Sequence, residues 1–132
     1  MNAGKSTILL QAAHNYEERG MTPYLLTAEI DNRGGKAKIV SRIGIEKDAD
    51  TFTSRINLYN LLKTKQKSMP IACVLIDEAQ FLSKEQVWQL AQAVDDLFLP
   101  VICYGLRVDF QGNLFPGSSA LLGLADELKE IK

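Results

Sequence analysis

The sequence predicts an α/β domain with a mostly parallel sheet flanked by helices, and three observations carry that reading. Helical and extended patterns alternate along the chain. Two uninterrupted apolar runs, residues 71–76 and 100–104, have the composition of strands covered on both faces. The length of 132 residues, 46% of them hydrophobic and 23% charged, is enough for one core of ordinary domain size.

The elements follow in order. Residues 5–19 read as a helix with Ile8, Leu9, Ala12, Ala13 and Tyr16 on one face, ended by Gly20 in the left-handed position. Residues 24–28 form a short apolar strand, followed by the Gly-rich loop Asp31-Asn32-Arg33-Gly34-Gly35. Residues 37–46 alternate weakly, as a short strand or hairpin does. Residues 53–67 read as a helix with Ile56, Tyr59 and Leu62 inward, and its Lys63, Lys65 and Lys67 form a solvated end that complements the dipole. After the strand at 71–76, Ser83 caps a helix, with Gln86 completing a capping box. Its apolar face is Val87, Leu90, Ala91, Val94, Leu97 and Phe98. A buried strand at 101–104, a loop over 105–117 and a last helix from 118 to about 128 complete the pattern. It lacks a strand at the front.

Composition excludes several function classes. The apolar fraction is too high for a disordered chain, and no apolar run approaches the ~20 residues of a membrane span. The opening residues do not form a secretory signal, so a cytoplasmic location is expected. With 15 Lys+Arg against 16 Asp+Glu, the net charge of −1 argues against a nucleic-acid coating role. Cys73 and Cys103 sit inside apolar runs and read as small hydrophobes. Together with the lone His14 they do not supply the four ligands of a standard zinc site.

Two segments carry chemistry. Gly4-Lys5-Ser6-Thr7 opens a helix, the arrangement in which backbone N–H groups cradle a polyphosphate, lysine neutralises the β/γ oxygens and Ser or Thr holds Mg²⁺. The first glycine of the full G-x-x-x-x-G-K-[ST] pattern falls just ahead of Met1. The second segment is Cys73-Val74-Leu75-Ile76 running into Asp77-Glu78-Ala79-Gln80. It places a carboxylate at the carboxyl end of a strand, where open α/β sheets bind ligands. Asp77 is placed there to order Mg²⁺, directly or through water, and Glu78 to act as a base. His14 lies within the first helix and no Ser-His-Asp arrangement is visible.

These residues carry a resemblance. Met1-Asn2-Ala3-Gly4-Lys5-Ser6-Thr7, residues 27–33 (Thr-Ala-Glu-Ile-Asp-Asn-Arg) and Ile76-Asp77-Glu78-Ala79-Gln80-Phe81 occur in that order. With residues 104–110 (Tyr-Gly-Leu-Arg-Val-Asp-Phe) and 114–118 (Leu-Phe-Pro-Gly-Ser), the chain resembles the type II thymidine kinases, the bacterial and cytosolic family. The resemblance implies a RecA-like P-loop NTPase core over residues 1–132 and transfer of the ATP γ-phosphate to the 5′-hydroxyl of thymidine.

It further implies Glu78 as the catalytic base, and ATP binding by Met1, Asn2, Ala3, Gly4, Lys5, Ser6 and Thr7 with Asp77, Glu78, Ala79 and Gln80. Ser6, Asp31, Arg33 and Asp77 would arrange phosphate and Mg²⁺, with Mg²⁺ held by Ser6 and Asp77. Gln80, Phe81, Phe110 and Phe115 would lie beside the nucleoside, Phe81 as a stacking surface. The family is homotetrameric, its partners are thymidine and ATP rather than nucleic acid or membrane, and its structural zinc sits in a C-terminal domain. Against that pattern the chain reads as truncated at both ends, without the first strand or the zinc domain, which puts activity of these residues alone in question. Another P-loop kinase or RecA-like ATPase, or a non-catalytic nucleotide-binding module, would use most of the same residues. Assays across the four deoxynucleosides separate the first, and nucleotide binding the second.

Overall fold

The computed structural model describes residues 2–29, 36–41 and 43–105. The segment begins with helix α1 (Asn2–Glu18), strand β1 (Thr22–Ala28) and a hairpin of β2 (Lys36–Val40) and β3 (Glu46–Phe52). Helix α2 (Leu58–Ser68), strand β4 (Ile71–Asp77), a single 3-10 turn (Ala79–Phe81), helix α3 (Lys84–Leu97) and strand β5 (Val101–Cys103) follow. The five strands form one sheet in the order β2-β3-β1-β4-β5. The β1–β3, β1–β4 and β4–β5 pairs are parallel and only β2–β3 is antiparallel. The expected α/β architecture is present; the weakly alternating residues 37–46 hold β2 and the turn of a hairpin, whose second strand β3 runs on to Phe52, beyond the expected bounds. The loop at 31–35, the segment 106–117 and the last helix lie outside the described residues.

Period-two alternation on the central strands divides the core into two layers. Tyr24, Leu26 and Ala28 of β1 and Val74 and Ile76 of β4 face α2 and α3, where they meet Leu58, Leu62, Val87, Leu90 and Ala93. Leu25, Cys73 and Leu75 face the other way, onto Leu9, Leu10 and Ala13 of α1. Strand β4 is covered on both sides: Cys73, Val74, Leu75 and Ile76 are all 0% exposed. Full burial of each aliphatic side chain contributes about 1.5–3 kcal/mol. Cys73 and Cys103 belong to opposite layers, so they have no route to a disulfide. Burial raises both thiols above the ordinary range, to about 12 for Cys103, which fits their reading as small hydrophobes. No helix among the described residues is long and apolar enough to cross a membrane.

Helix boundaries differ from expectation for identifiable reasons. α1 starts at Asn2 rather than residue 5, since extending a formed helix costs little once it is nucleated. Its buried face uses Leu10 in place of Ile8, which is half exposed. Gly20 does end the segment with φ 74°. α2 starts at Leu58, later than residue 53, because Asn57 caps it by accepting from Asn60 N at 3.0 Å. The preceding turn gives its Thr53 and Ile56 carbonyls to Gln86 Nε2, at 2.6 and 2.9 Å.

The capping box at the start of α3 forms as expected, with Ser83 and Gln86 exchanging bonds of 3.0 and 3.1 Å. Gln86 therefore starts its own helix and also ties down the approach to its neighbour. The apolar face of α3 needs correction, because Val94 is exposed and Phe98 is 86% exposed. The helix ends at Leu97, and Phe98 turns left-handed at φ 55°, so it no longer follows the 3.6-residue period. Ala93 takes the buried place. Strand β5 pairs with β4 alone among the described residues, and Ile102 is partly exposed, so β5 is less covered than its sequence implies.

A polar contact braces the hairpin against the sheet. The Tyr24 hydroxyl donates to Asp50 Oδ2 at 2.6 Å, and Lys65 Nζ lies 3.5 Å from the same oxygen. Burial and the neighbouring carboxylate push the phenol far above the ordinary 10.0. Tyr24→Phe should cost about 1.5–3 kcal/mol, the usual worth of a hydrogen bond to a charged group. Below pH 10 that contribution is complete. Above it the unfolded phenol ionises while the folded one keeps its proton, so the contribution falls. Urea titrations of both proteins at pH 7 and pH 10.5 check this: the gap should narrow at the higher pH, and an equal gap would refute it.

Candidate active site

All four parallel strands end on the same edge of the sheet, and the sequence motifs gather there. Asp77 is the last residue of β4, and in register beside it on β1 stands Thr27. The main chain of α1 passes the same edge, bringing Ser6 onto Asp77. The Ser6 hydroxyl donates to Asp77 Oδ2 at 3.1 Å across 71 residues of sequence. Both side chains are buried, at 6% and 7% exposure. The other carboxylate oxygen, Oδ1, accepts from Glu78 N at 3.0 Å.

Glu78 turns the chain sharply. Its φ of 57° and ψ of 40° are left-handed, a conformation that costs a non-glycine residue roughly 1–3 kcal/mol and that concentrates at functional sites. Backbone bonds on both sides hold it. Phe81 N donates to Glu78 O at 3.1 Å, Ala79 N to Tyr104 O at 2.9 Å, and Tyr104 N to Ile76 O at 2.8 Å. Glu78 is half-buried on this turn, and Phe81 is 49% exposed. Gln80 is 3% exposed and its Nε2 donates to Glu78 Oε2 at 2.8 Å.

The structure thus brings together Ser6, Asp77, Glu78, Ala79, Gln80 and Phe81 from the expected set. Asn2, Ala3, Gly4 and Lys5 lie in the first turn of α1, whose N–H groups have no acceptor within any helix and suit an anion. Met1, Asp31, Arg33, Phe110 and Phe115 lie outside the described residues. Two residues not singled out from the sequence also belong to this edge. Thr27 is a buried polar side chain at 8% exposure, signalled only by a hydroxyl closing an apolar run. Gly105 follows β5 and packs directly on the turn, so that a Cβ there would stand 2.8 Å from Ala79 N and 2.9 Å from Gln80 N.

A mostly parallel α/β sheet with a helix start, a buried serine and a strand-end carboxylate meeting at its carboxyl edge is a core of the P-loop type. The thymidine kinase family model matches residues 1–132. The chain is 62% identical to the thymidine kinase of Ruegeria pomeroyi over 132 residues, covering all of this chain and 67% of that protein. It is also 62% identical to the thymidine kinase of a Jannaschia species, covering 68% of it, and 57% identical to that of Shewanella oneidensis, covering 69%. This chain belongs to the thymidine kinase family.

The Ser6–Asp77 bond is testable without any ligand. Ser6→Ala removes the donor and leaves a buried carboxylate oxygen without it, a loss of about 1–3 kcal/mol. Denaturant unfolding of the nucleotide-free protein should register that loss, with Ser6→Thr close to the parent. A Ser6→Ala protein as stable as the parent would show the contact to be incidental.

Proposed function

We propose that this chain forms the catalytic core of a thymidine kinase, moving the γ-phosphoryl group of ATP to the 5′-hydroxyl of thymidine to give dTMP. The observation that carries the reading is the Ser6–Asp77 hydrogen bond, which joins the phosphate-binding helix start to the strand-end carboxylate. Family membership supports the choice of acceptor. The same reading takes the enzyme to be cytoplasmic and, as the family resemblance implies, a homotetramer.

The residues divide the work by chemistry. Phosphoryl transfer asks a protein chiefly for positioning and charge stabilisation. The first-turn N–H groups of α1 and the Lys5 cation receive the triphosphate. Ser6 and Asp77 supply two hard oxygen donors side by side, a set that fits Mg²⁺, which is commonly held by one or two side chains together with substrate phosphates. Held there, Mg²⁺ would supply positive charge to offset the charge that develops on the transferring phosphate. The family resemblance assigns Asp31 and Arg33 to phosphate handling and Phe81, Phe110 and Phe115 to the nucleoside.

Glu78 accepts the proton of the 5′-hydroxyl as that oxygen bonds to phosphorus and the bond to the ADP oxygen breaks. A primary hydroxyl is a weak nucleophile near neutral pH, so a carboxylate held within reach lowers the barrier.

Transfer from labelled ATP to each of the four deoxynucleosides, assayed with the intact protein, tests the acceptor. Thymidine should be the preferred acceptor, and equal or absent transfer would overturn the reading. Glu78→Gln should lower kcat by about 10² or more with ATP affinity little changed. Turnover near that of the parent would remove Glu78 from the role of base.

A further inference from the structure

We propose that Gln80 and Gly105 are positioning residues that aim the Glu78 carboxylate, rather than residues that contact a substrate. The inference rests on Glu78 acting as the base and deepens that reading. Gln80 is almost wholly buried and donates to Glu78 Oε2 at 2.8 Å. A glutamate side chain has several rotatable bonds, and the left-handed backbone at Glu78 sets only where that side chain starts. The amide of Gln80 sets where it ends. Gln80 sits in the 3-10 turn Ala79–Phe81, which is bonded to Tyr104 through Ala79 N at 2.9 Å.

The next residue, Gly105, closes the arrangement. A Cβ there would run into Gln80 Oε1 and lie 2.8 and 2.9 Å from the Ala79 and Gln80 backbone nitrogens. Real Cβ atoms essentially never approach backbone so closely. Any side chain at 105 would therefore push the turn, and Gln80 with it, away from the end of β5. Gly105, Gln80 and Glu78 form a mechanical chain in which only the last touches the reacting hydroxyl. Misplacing a catalytic group by about 1 Å is enough to cost on the order of 10²-fold in rate.

The experiment is a pair of double-mutant cycles on the intact protein, with Mg²⁺-ATP and thymidine as substrates. Gln80→Met keeps the length and removes the donor. Gly105→Ala keeps the Gln80 amide but displaces it. Each is made alone and in a Glu78→Ala background, with ATP affinity measured in parallel. Each single change should lower kcat about 10- to 100-fold while both KM values and ATP affinity stay within about twofold. Neither should lower kcat further once Glu78 is alanine, because no carboxylate remains to be aimed. A raised KM for thymidine with kcat unchanged would overturn the proposal, as would an undiminished kcat or an equal loss in the Glu78→Ala background. If Glu78→Ala alone keeps the parent turnover, the base assignment itself has failed, an outcome distinct from the others. The two variants reach Gln80 from different sides, so poor folding of one leaves the other to decide.

Discussion

The 3.1 Å bond between the Ser6 hydroxyl and the Asp77 carboxylate is the contact on which the rest of the candidate site depends, because in it two distant segments meet at one edge of the sheet. Neither residue sits there by local preference. Asp77 ends a strand whose preceding four residues are fully buried, so the carboxylate can emerge only where the strand leaves the core. Ser6 lies on a helix whose Leu9, Leu10 and Ala13 pack against the same strand through Cys73 and Leu75. Burial of that helix face fixes its height on the sheet, and the height sets Ser6 opposite Asp77. Packing thus delivers the polar contact.

The same economy governs the acidic turn. Once Asp77 ends the strand, the chain turns within one residue. Glu78 does so in a left-handed conformation, held by main-chain bonds to the turn and by the bond from Glu78 N to Asp77 Oδ1. The strained residue is also the one assigned to take the proton, which fits the tendency of such strain to collect where geometry matters for chemistry. The opposite layer provides the stiffness. Gln86 bonds to Ser83, Thr53 and Ile56, and Gln89 Oε1 accepts from Leu58 N at 2.8 Å. These bonds lock α2 and α3 into one surface beneath β1 and β4.

Much of this was legible in the sequence, for reasons that can be stated. The uninterrupted run at 71–76 identified β4 because only a strand covered on both faces tolerates that composition. Ser83 and Gln86 identified the start of α3 because the capping box is local chemistry. The Gly-Lys-Ser and Asp-Glu segments pointed to a candidate site because phosphate chemistry asks for those groups at element ends, and Ser6 and Asp77 do meet there.

Other features depended on tertiary structure. Phe98 fits the helical period and yet faces solvent, because the helix stops at Leu97; Pro100 signals a stop nearby but not the residue at which it falls. The start of α2 moved to Leu58 because Gln86, some thirty residues away, takes the carbonyls of the preceding turn. The closeness of Gly105 to Gln80 needed strand β5 to be placed before any Cβ clash existed.

The central claim is that Ser6 and Asp77 together form the metal corner of a nucleotide site. A crystal structure of the protein with Mn²⁺ in place of Mg²⁺ and a non-hydrolysable ATP analogue, phased on the manganese signal, tests it most directly. The account predicts one manganese ion beside the triphosphate, with the Ser6 hydroxyl as a ligand and Asp77 bound to it directly or through one water, and the phosphates on the first turn of α1. Manganese and triphosphate bound away from this pair, with the Ser6–Asp77 bond unchanged, would contradict it.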